Sequence, residues 1–209
     1  MDAMTEKILA LEWKNFDRVQ NLGGRAACQD DPDTFRIMRS SQLLAWNAAM
    51  RESYYADLAE AGAEGRNLLA EKYAYMMERT NPEEFANFRA RLPACEPEKA
   101  ALIDRISALH VAWQEALAEA YPCLAGRSRP IRKEEDGPCC TSFETYLQGE
   151  LKTYSLKTLR LYLDYASALL AEGKNLNEMV LANTAAQYGY ASTDAAEAAA
   201  ARRSGRAVR

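Results

Sequence analysis

The chain holds 38 alanines against four valines and five isoleucines in 209 residues. Alanine is the strongest helix former, whereas β-branched residues are the common currency of strands. That ratio argues against a β sandwich, a β barrel or a parallel α/β sheet. It predicts an all-α, single-domain multi-helix bundle of about seven or eight helices with no sheet. Leucine, isoleucine, valine and phenylalanine make only 37 of 209 residues, a level that signals disorder when net charge is high. The net charge is −4, and 11 Tyr, 7 Met and 3 Trp add large apolar surface. The reading is therefore a folded domain whose helices pack closely over alanine.

Charge and cysteine usage narrow the function classes. Residues 198–209 carry Arg202, Arg203, Arg206 and Arg209 and no acid. They read as a basic, disordered tail on a helical domain spanning 1–197. The body without that tail is more acidic still, which argues against nucleic acid as the main partner. No run reaches the ~20 apolar residues of a membrane span, and no basic-then-apolar signal segment opens the chain. The expectation is a cytoplasmic protein with no membrane partner. Five cysteines, an odd number with no C-x-x-C pair, predict reduced thiols. Adjacent Cys139 and Cys140 are poorly placed to share one zinc. A single histidine leaves no room for the paired Glu-x-x-His sites of di-iron bundles. No metal site is assigned, and no cofactor is specified.

Helical spacing and cap signals place helices at 5–21 (capped by Thr5), 33–61, 66–79, 82–91, 96–120, 141–171, 175–188 and 192–203. Residues 122–140 contain Pro122, Gly126, Pro130, Gly137 and Pro138. They form a long irregular stretch of the kind that serves as a lid.

Two helices carry polar groups on otherwise apolar stripes. Phe35, Arg39, Gln42 and Trp46 are spaced by four, three and four, which puts them on one face. A buried guanidinium there requires a carboxylate or phosphate. After the long loop, Tyr146, Glu150, Thr153 and Lys157 share a face opposite Phe143, Leu147, Leu151 and Tyr154. Glu150 is a carboxylate that Arg39 or Lys72 would need. The plain alternative is that these are solvated helix edges. Cys28 precedes a helix start, which lowers a thiol pKa, but Asp30 and Asp31 oppose this and no base is near in sequence.

Two function classes follow. In the first, a helical bundle holds a small anionic ligand in a polar cleft, as a binding protein or as an enzyme. Arg25, Arg39, Arg66 and Lys72 hold the anionic group, with Gln42, Trp46 and Tyr146 completing the cleft. Glu150 or Asp31 is the acid/base, and Cys28 is the nucleophile candidate. In the second, the domain is an interaction module that docks on a partner protein or a second copy through an exposed apolar patch. The Arg105-x4-His110 spacing also resembles the short motif of helical HEPN ribonucleases, although Ile106 stands where that family usually has a polar residue.

Four longer phrases carry a broader resemblance: Glu12-Trp13, GGRAACQDDPDTFRIMRSSQLLAW at 23–46, GRNLLAEKYAYMM at 65–77 and TSFETYLQGELKTYSLKTLRLYL at 141–163. They resemble the bacterial family catalogued as domain of unknown function 4125, over about residues 6–197. The resemblance implies a bacterial, cytosolic helical protein and supplies no catalytic residues. Some relatives join this domain to a nucleotidyltransferase-like domain, which a chain of this length cannot also contain. On that analogy the interaction partner is a nucleotidyltransferase-like protein.

Overall fold

The computed structural model describes residues 1–20, 24–126, 128–137 and 140–204. Most of its helices begin where a side chain can satisfy the free amides of a first turn, whereas Pro82, Pro97 and Pro122 open three others with no side-chain cap. Asp2, Asp31, Asn47, Asn67, Ser142, Ser155 and Asn175 each accept a hydrogen bond from a backbone N–H two or three residues onward. The described residues form eleven α-helices. These are α1 (Ala3–Phe16), α2 (Pro32–Ala45), α3 (Ala48–Ala63), α4 (Leu68–Thr80), α5 (Pro82–Phe88) and α6 (Pro97–Ala120), followed by α7 (Pro122–Ala125), α8 (Phe143–Leu151), α9 (Leu156–Ala171), α10 (Leu176–Gln187) and α11 (Thr193–Ser204). No β-strand occurs among the described residues; Gly137 and Cys140 form one isolated bridge. None of the described helices is long and apolar enough to cross a membrane.

The all-α expectation holds, but the helix count exceeds seven or eight, and two caps explain most of the excess. The helix expected over 33–61 is split at Trp46–Asn47, where the Asn47 side chain accepts from the Met50 amide at 2.9 Å and opens α3. The helix expected over 141–171 is split after Leu151, and Ser155 opens α9 by accepting from the Thr158 amide at 3.2 Å. Thr5 does not cap α1. It is buried, and Asp2 accepts from its amide at 2.9 Å. α1 ends at Phe16, short of residue 21, which lies outside the described residues. At the other end, α11 continues helix through Ser204 with Ala200 and Ala201 buried. Residues 198–204 are thus helical rather than tail, and 205–209 lie outside the described residues.

The core runs through the middle of the bundle. Ile8 of α1, Leu43 of α2, Met50 and Leu58 of α3, Ile106 of α6, Leu151 of α8 and Leu159 of α9 are almost completely buried. Aromatic rings of Trp46, Tyr54, Tyr154 and Tyr162 pack edge-on or tilted at centroid distances of 4.9–6.2 Å. α2 lies between α1 and α10, and α8 lies between α4 and α6. α8 approaches α4 so closely that a Cβ on Gly149 would stand 2.8 Å from Met76 Cγ and 3.0 Å from the Lys72 carbonyl oxygen. That approach sets the register of Lys72 against the next residue of α8, Glu150.

The stretch 122–140 is not structureless. α7 is tied to α11, because the Glu197 carboxylate accepts from the Cys123 and Leu124 amides at 2.7 and 2.8 Å. Asp136 accepts from the Ser142 amide at 2.7 Å and the Thr145 hydroxyl at 2.5 Å, and it pairs with Arg79 at 3.0 Å. Both ends of the expected lid are therefore anchored; residues 127, 138 and 139 lie outside the described set.

Candidate functional site

Four helices bring four opposite charges to one point. α1 places Ile8, Glu12 and Phe16 at successive four-residue steps on its buried face, so Glu12 enters the core between two apolar anchors. α2 contributes Arg39, α4 Lys72 and α8 Glu150. The Glu12 carboxylate accepts two hydrogen bonds from Arg39, from Nη2 at 2.5 Å and from Nε at 2.9 Å. Arg39 Nη1 reaches the Gln42 amide oxygen at 2.6 Å and Glu150 Oε1 at 3.1 Å. Lys72 Nζ donates to Glu150 Oε2 at 2.5 Å. Tyr54 donates to Glu12 and Tyr154 to Glu150, each at 2.7 Å.

This is a charge-balanced quartet with both phenols engaged. The Glu12 side chain is 1% exposed, Glu150 7%, Lys72 8% and Arg39 14%, so water screens little of it. Burial disfavours the Glu150 carboxylate, but the charges of Arg39 and Lys72 outweigh burial and hold its pKa well below the ordinary range. Burial disfavours the Arg39 guanidinium in the same way, and Glu12 and Glu150 raise its pKa regardless. Burial, reinforced by the neighbouring carboxylates, raises the Tyr54 and Tyr154 pKa values, which keeps both phenols protonated and donating.

The quartet forms the floor of a cavity of about 270 Å³. Phe16, Phe35, Tyr73 and Tyr146 supply aromatic wall, with Leu68, Leu69 and Met38 between them. Phe16 and Phe35 are stacked with centroids 5.1 Å apart. The Lys72 ammonium sits 3.6 Å from the Tyr146 ring centroid, and the Arg129 guanidinium lies 4.9 Å from it. Among the described residues of the 122–140 stretch, Arg129 alone stands on this wall. It is exposed, donates to the Thr141 carbonyl at 3.2 Å and forms no ion pair among the described residues.

The candidates read from the sequence separate into three groups. Arg39, Lys72, Tyr146, Glu150, Asp31 and Cys28 all line this cavity. Asp31 is occupied as the cap of α2, accepting from the Thr34 amide at 3.0 Å. Cys28 is an exposed thiol in a 3-10 turn at Ala27–Asp30. Gln42 and Trp46 line a second cavity behind Glu150 instead. Arg25 and Arg66 line neither. Arg25 is held on the surface by Asp17 and Asp30, each at 2.7 Å. Arg66 is paired bidentately with Glu71, at 2.8 Å for both bonds, beside the start of α4. The expected four-cation anion site is thus reduced to Arg39 and Lys72, and both are already matched by carboxylates. Lys157 is exposed on α9, beyond the end of α8. Arg105 is exposed and His110 buried on α6, so the two do not form a joint phosphate site.

Glu12, Tyr54, Tyr73 and Arg129 were not among the candidates. Glu12 had a readable signal, an acid between Ile8 and Phe16 on an apolar stripe. Tyr154 falls in the apolar stripe with Phe143, Leu147 and Leu151, which marks it as core and hides its hydroxyl. Among the described residues, no group of three or more His, Cys, Asp or Glu is arranged to hold a metal.

A family model described as a protein of unknown function (DUF4125) matches residues 2–198. No curated protein and no solved structure matches the chain.

Proposed function

Because the chain belongs to the DUF4125 family, whose description names no activity, we propose a function from the cavity itself: it binds a small organic anion with an aromatic or planar apolar portion. The observation that carries this reading is a buried, charge-balanced quartet, each member hydrogen-bonded to an opposite charge, on the floor of an aromatic-walled cavity. A buried ion pair is a poor device for stability, since well-packed apolar residues of similar volume do as well or better. Its worth lies in fixing polar groups at a place where a ligand meets them.

The walls set the ligand class. Phe16, Phe35, Tyr73 and Tyr146 favour a ring or flat apolar group. Within the quartet, positive and negative charges match, and Asp31 is committed to the N-terminus of α2, where the helix dipole favours its charge. Among the described residues, Arg129 is the cation on this wall without an ion pair, so it receives the anionic group at the rim while the ring enters between Phe35 and Tyr73. Glu150 and Lys72 then present a fixed acceptor and donor to the ligand's inner edge.

Native mass spectrometry of gently purified protein, followed by denaturing mass analysis of the same sample, tests this. The expected result is an added mass that disappears on denaturation, and a saturable response when phenyl phosphate is titrated into ligand-stripped protein. Arg129→Ala leaves the quartet intact and weakens that binding by about tenfold, the value of one charge-assisted contact. Bare protein together with no saturable phenyl phosphate binding would overturn the reading.

A further inference from the structure

Behind Glu150 lies a second cavity of about 160 Å³, lined by Gln42, Trp46, His110, Tyr162 and Asn177 among others. Tyr146 and Glu150 form a wall common to both cavities. Among the described residues, three buried side-chain nitrogens make no hydrogen bond of good geometry to protein, and two of them, Trp46 Nε1 and His110 Nε2, belong to residues of this lining; the Trp46 indole does act on the nearby Tyr162 hydroxyl, lowering its pKa against the effect of burial. The residues themselves are 3% and 4% exposed. Buried polar atoms are nearly always satisfied, so two orphans on one cavity wall call for a common partner.

The local bonding fixes what each orphan offers. The Asn177 amide nitrogen donates to the His110 carbonyl and to Gln114 Oε1, both at 3.0 Å. Its oxygen is therefore the atom that faces His110 Nδ1, at 2.6 Å, and Nδ1 must carry the proton. Burial pushes the His110 pKa down to about 4, so the ring is neutral at pH 7 and Nε2 is a bare lone pair. Trp46 Nε1–H is a donor only. The two rings flank Tyr162, with centroids 5.6 Å from Trp46 and 5.4 Å from His110. Among the described residues, Glu150 is the single charged group on this wall, and it is already held by Arg39, Lys72 and Tyr154, so they present no unmatched charge to the cavity.

We propose that this second cavity is a binding site for a small neutral molecule bearing a hydroxyl or primary amide, which donates to His110 Nε2 and accepts from the Trp46 indole N–H. Its volume is several times the roughly 30 Å³ that one water takes in the liquid, which suits a molecule of a few heavy atoms.

His110 is the only histidine in the chain, so its ring nitrogens give one set of NMR signals without any variant. Nitrogen-edited spectra of the intact protein, titrated with acetamide and separately with ethylene glycol, read both orphans. The expected result for at least one probe is a saturable shift of His110 Nε2 and of one indole N–H, at a common midpoint. Trp46→Phe removes that indole signal and weakens binding by about tenfold, the value of one hydrogen bond in a buried site. Non-saturating or absent shifts with both probes in the unaltered protein would mean that the cavity holds water alone, and would overturn the proposal. A saturable shift confined to His110, with no indole responding, would overturn it equally.

Discussion

The two cavities flanking α8 share Tyr146 and Glu150 yet solve opposite problems. On one side, four charges are buried and every one has a matched partner. On the other, no described residue of the wall carries unmatched charge, and a donor and an acceptor lack a hydrogen bond of good geometry to protein. A satisfied polar network in a low dielectric is rigid and costly to break, whereas an unsatisfied one is an open demand. The difference teaches that burial alone does not mark a binding wall. A completed set offers a ligand a floor of fixed charge, whereas an incomplete one offers hydrogen bonds still to be made.

The largest effect is expected at Glu12. Glu12→Ala strips Arg39 of its bidentate partner and leaves the Tyr54 hydroxyl unpaired. Removing one member of a buried pair costs about 3–5 kcal/mol, which urea denaturation would read as a large fall in midpoint, if the variant folds at all. Next in size is the pH dependence on the neutral side. The folded protein holds the His110 pKa at about 4, below its ordinary 6.5. Its contribution is therefore complete above pH 6.5 and is lost as pH falls toward 4, a change of about 3 kcal/mol. The Glu150 pKa is also depressed, so its contribution is present above its ordinary 4.5 and lost only as pH falls below that value. Denaturation midpoints between pH 7 and pH 3 should thus decline in two windows, and His110→Phe should flatten the upper one alone.

A smaller effect sharpens the role of the shared helix. A methyl at Gly149 would meet Met76 Cγ and the Lys72 backbone. Gly149→Ala should therefore cost about 1–3 kcal/mol, as overpacking does, and should weaken phenyl phosphate binding by moving Lys72 away from Glu150. The smallest effect is expected where charges are exposed. Arg25→Ala removes two short ion pairs, and both the denaturation midpoint and ligand binding should stay at the values of the unaltered protein.

The pairing of Arg39 with Glu150 was legible because a polar residue repeated at helical spacing on an apolar stripe has to find a partner. The same logic applied to Ile8, Glu12 and Phe16, where the acid was hidden inside an otherwise ordinary amphipathic pattern. Arg25 and Arg66 were assigned to the site by residue type, although each has an acid five residues onward, Asp30 and Glu71, that claims it locally. The breaks at Asn47 and Ser155 carry neither Gly nor Pro. They arise because a short polar side chain competes for backbone amides, a preference that alanine-rich surroundings mask. Arg129 was not legible, since its place depends on Asp136 and α8 anchoring an irregular segment across long range.

The central claim is that the quartet exists to present a cavity floor and not to hold the bundle together. One variant tests it most directly: Glu12→Leu, Arg39→Met, Lys72→Met and Glu150→Leu combined with Tyr54→Phe and Tyr154→Phe, so that no buried hydroxyl is left alone. Its unfolding free energy should lie within about 1–2 kcal/mol of the unaltered protein, or above it. A loss as large as that from Glu12→Ala would show that the charges are structural after all, and would contradict the account.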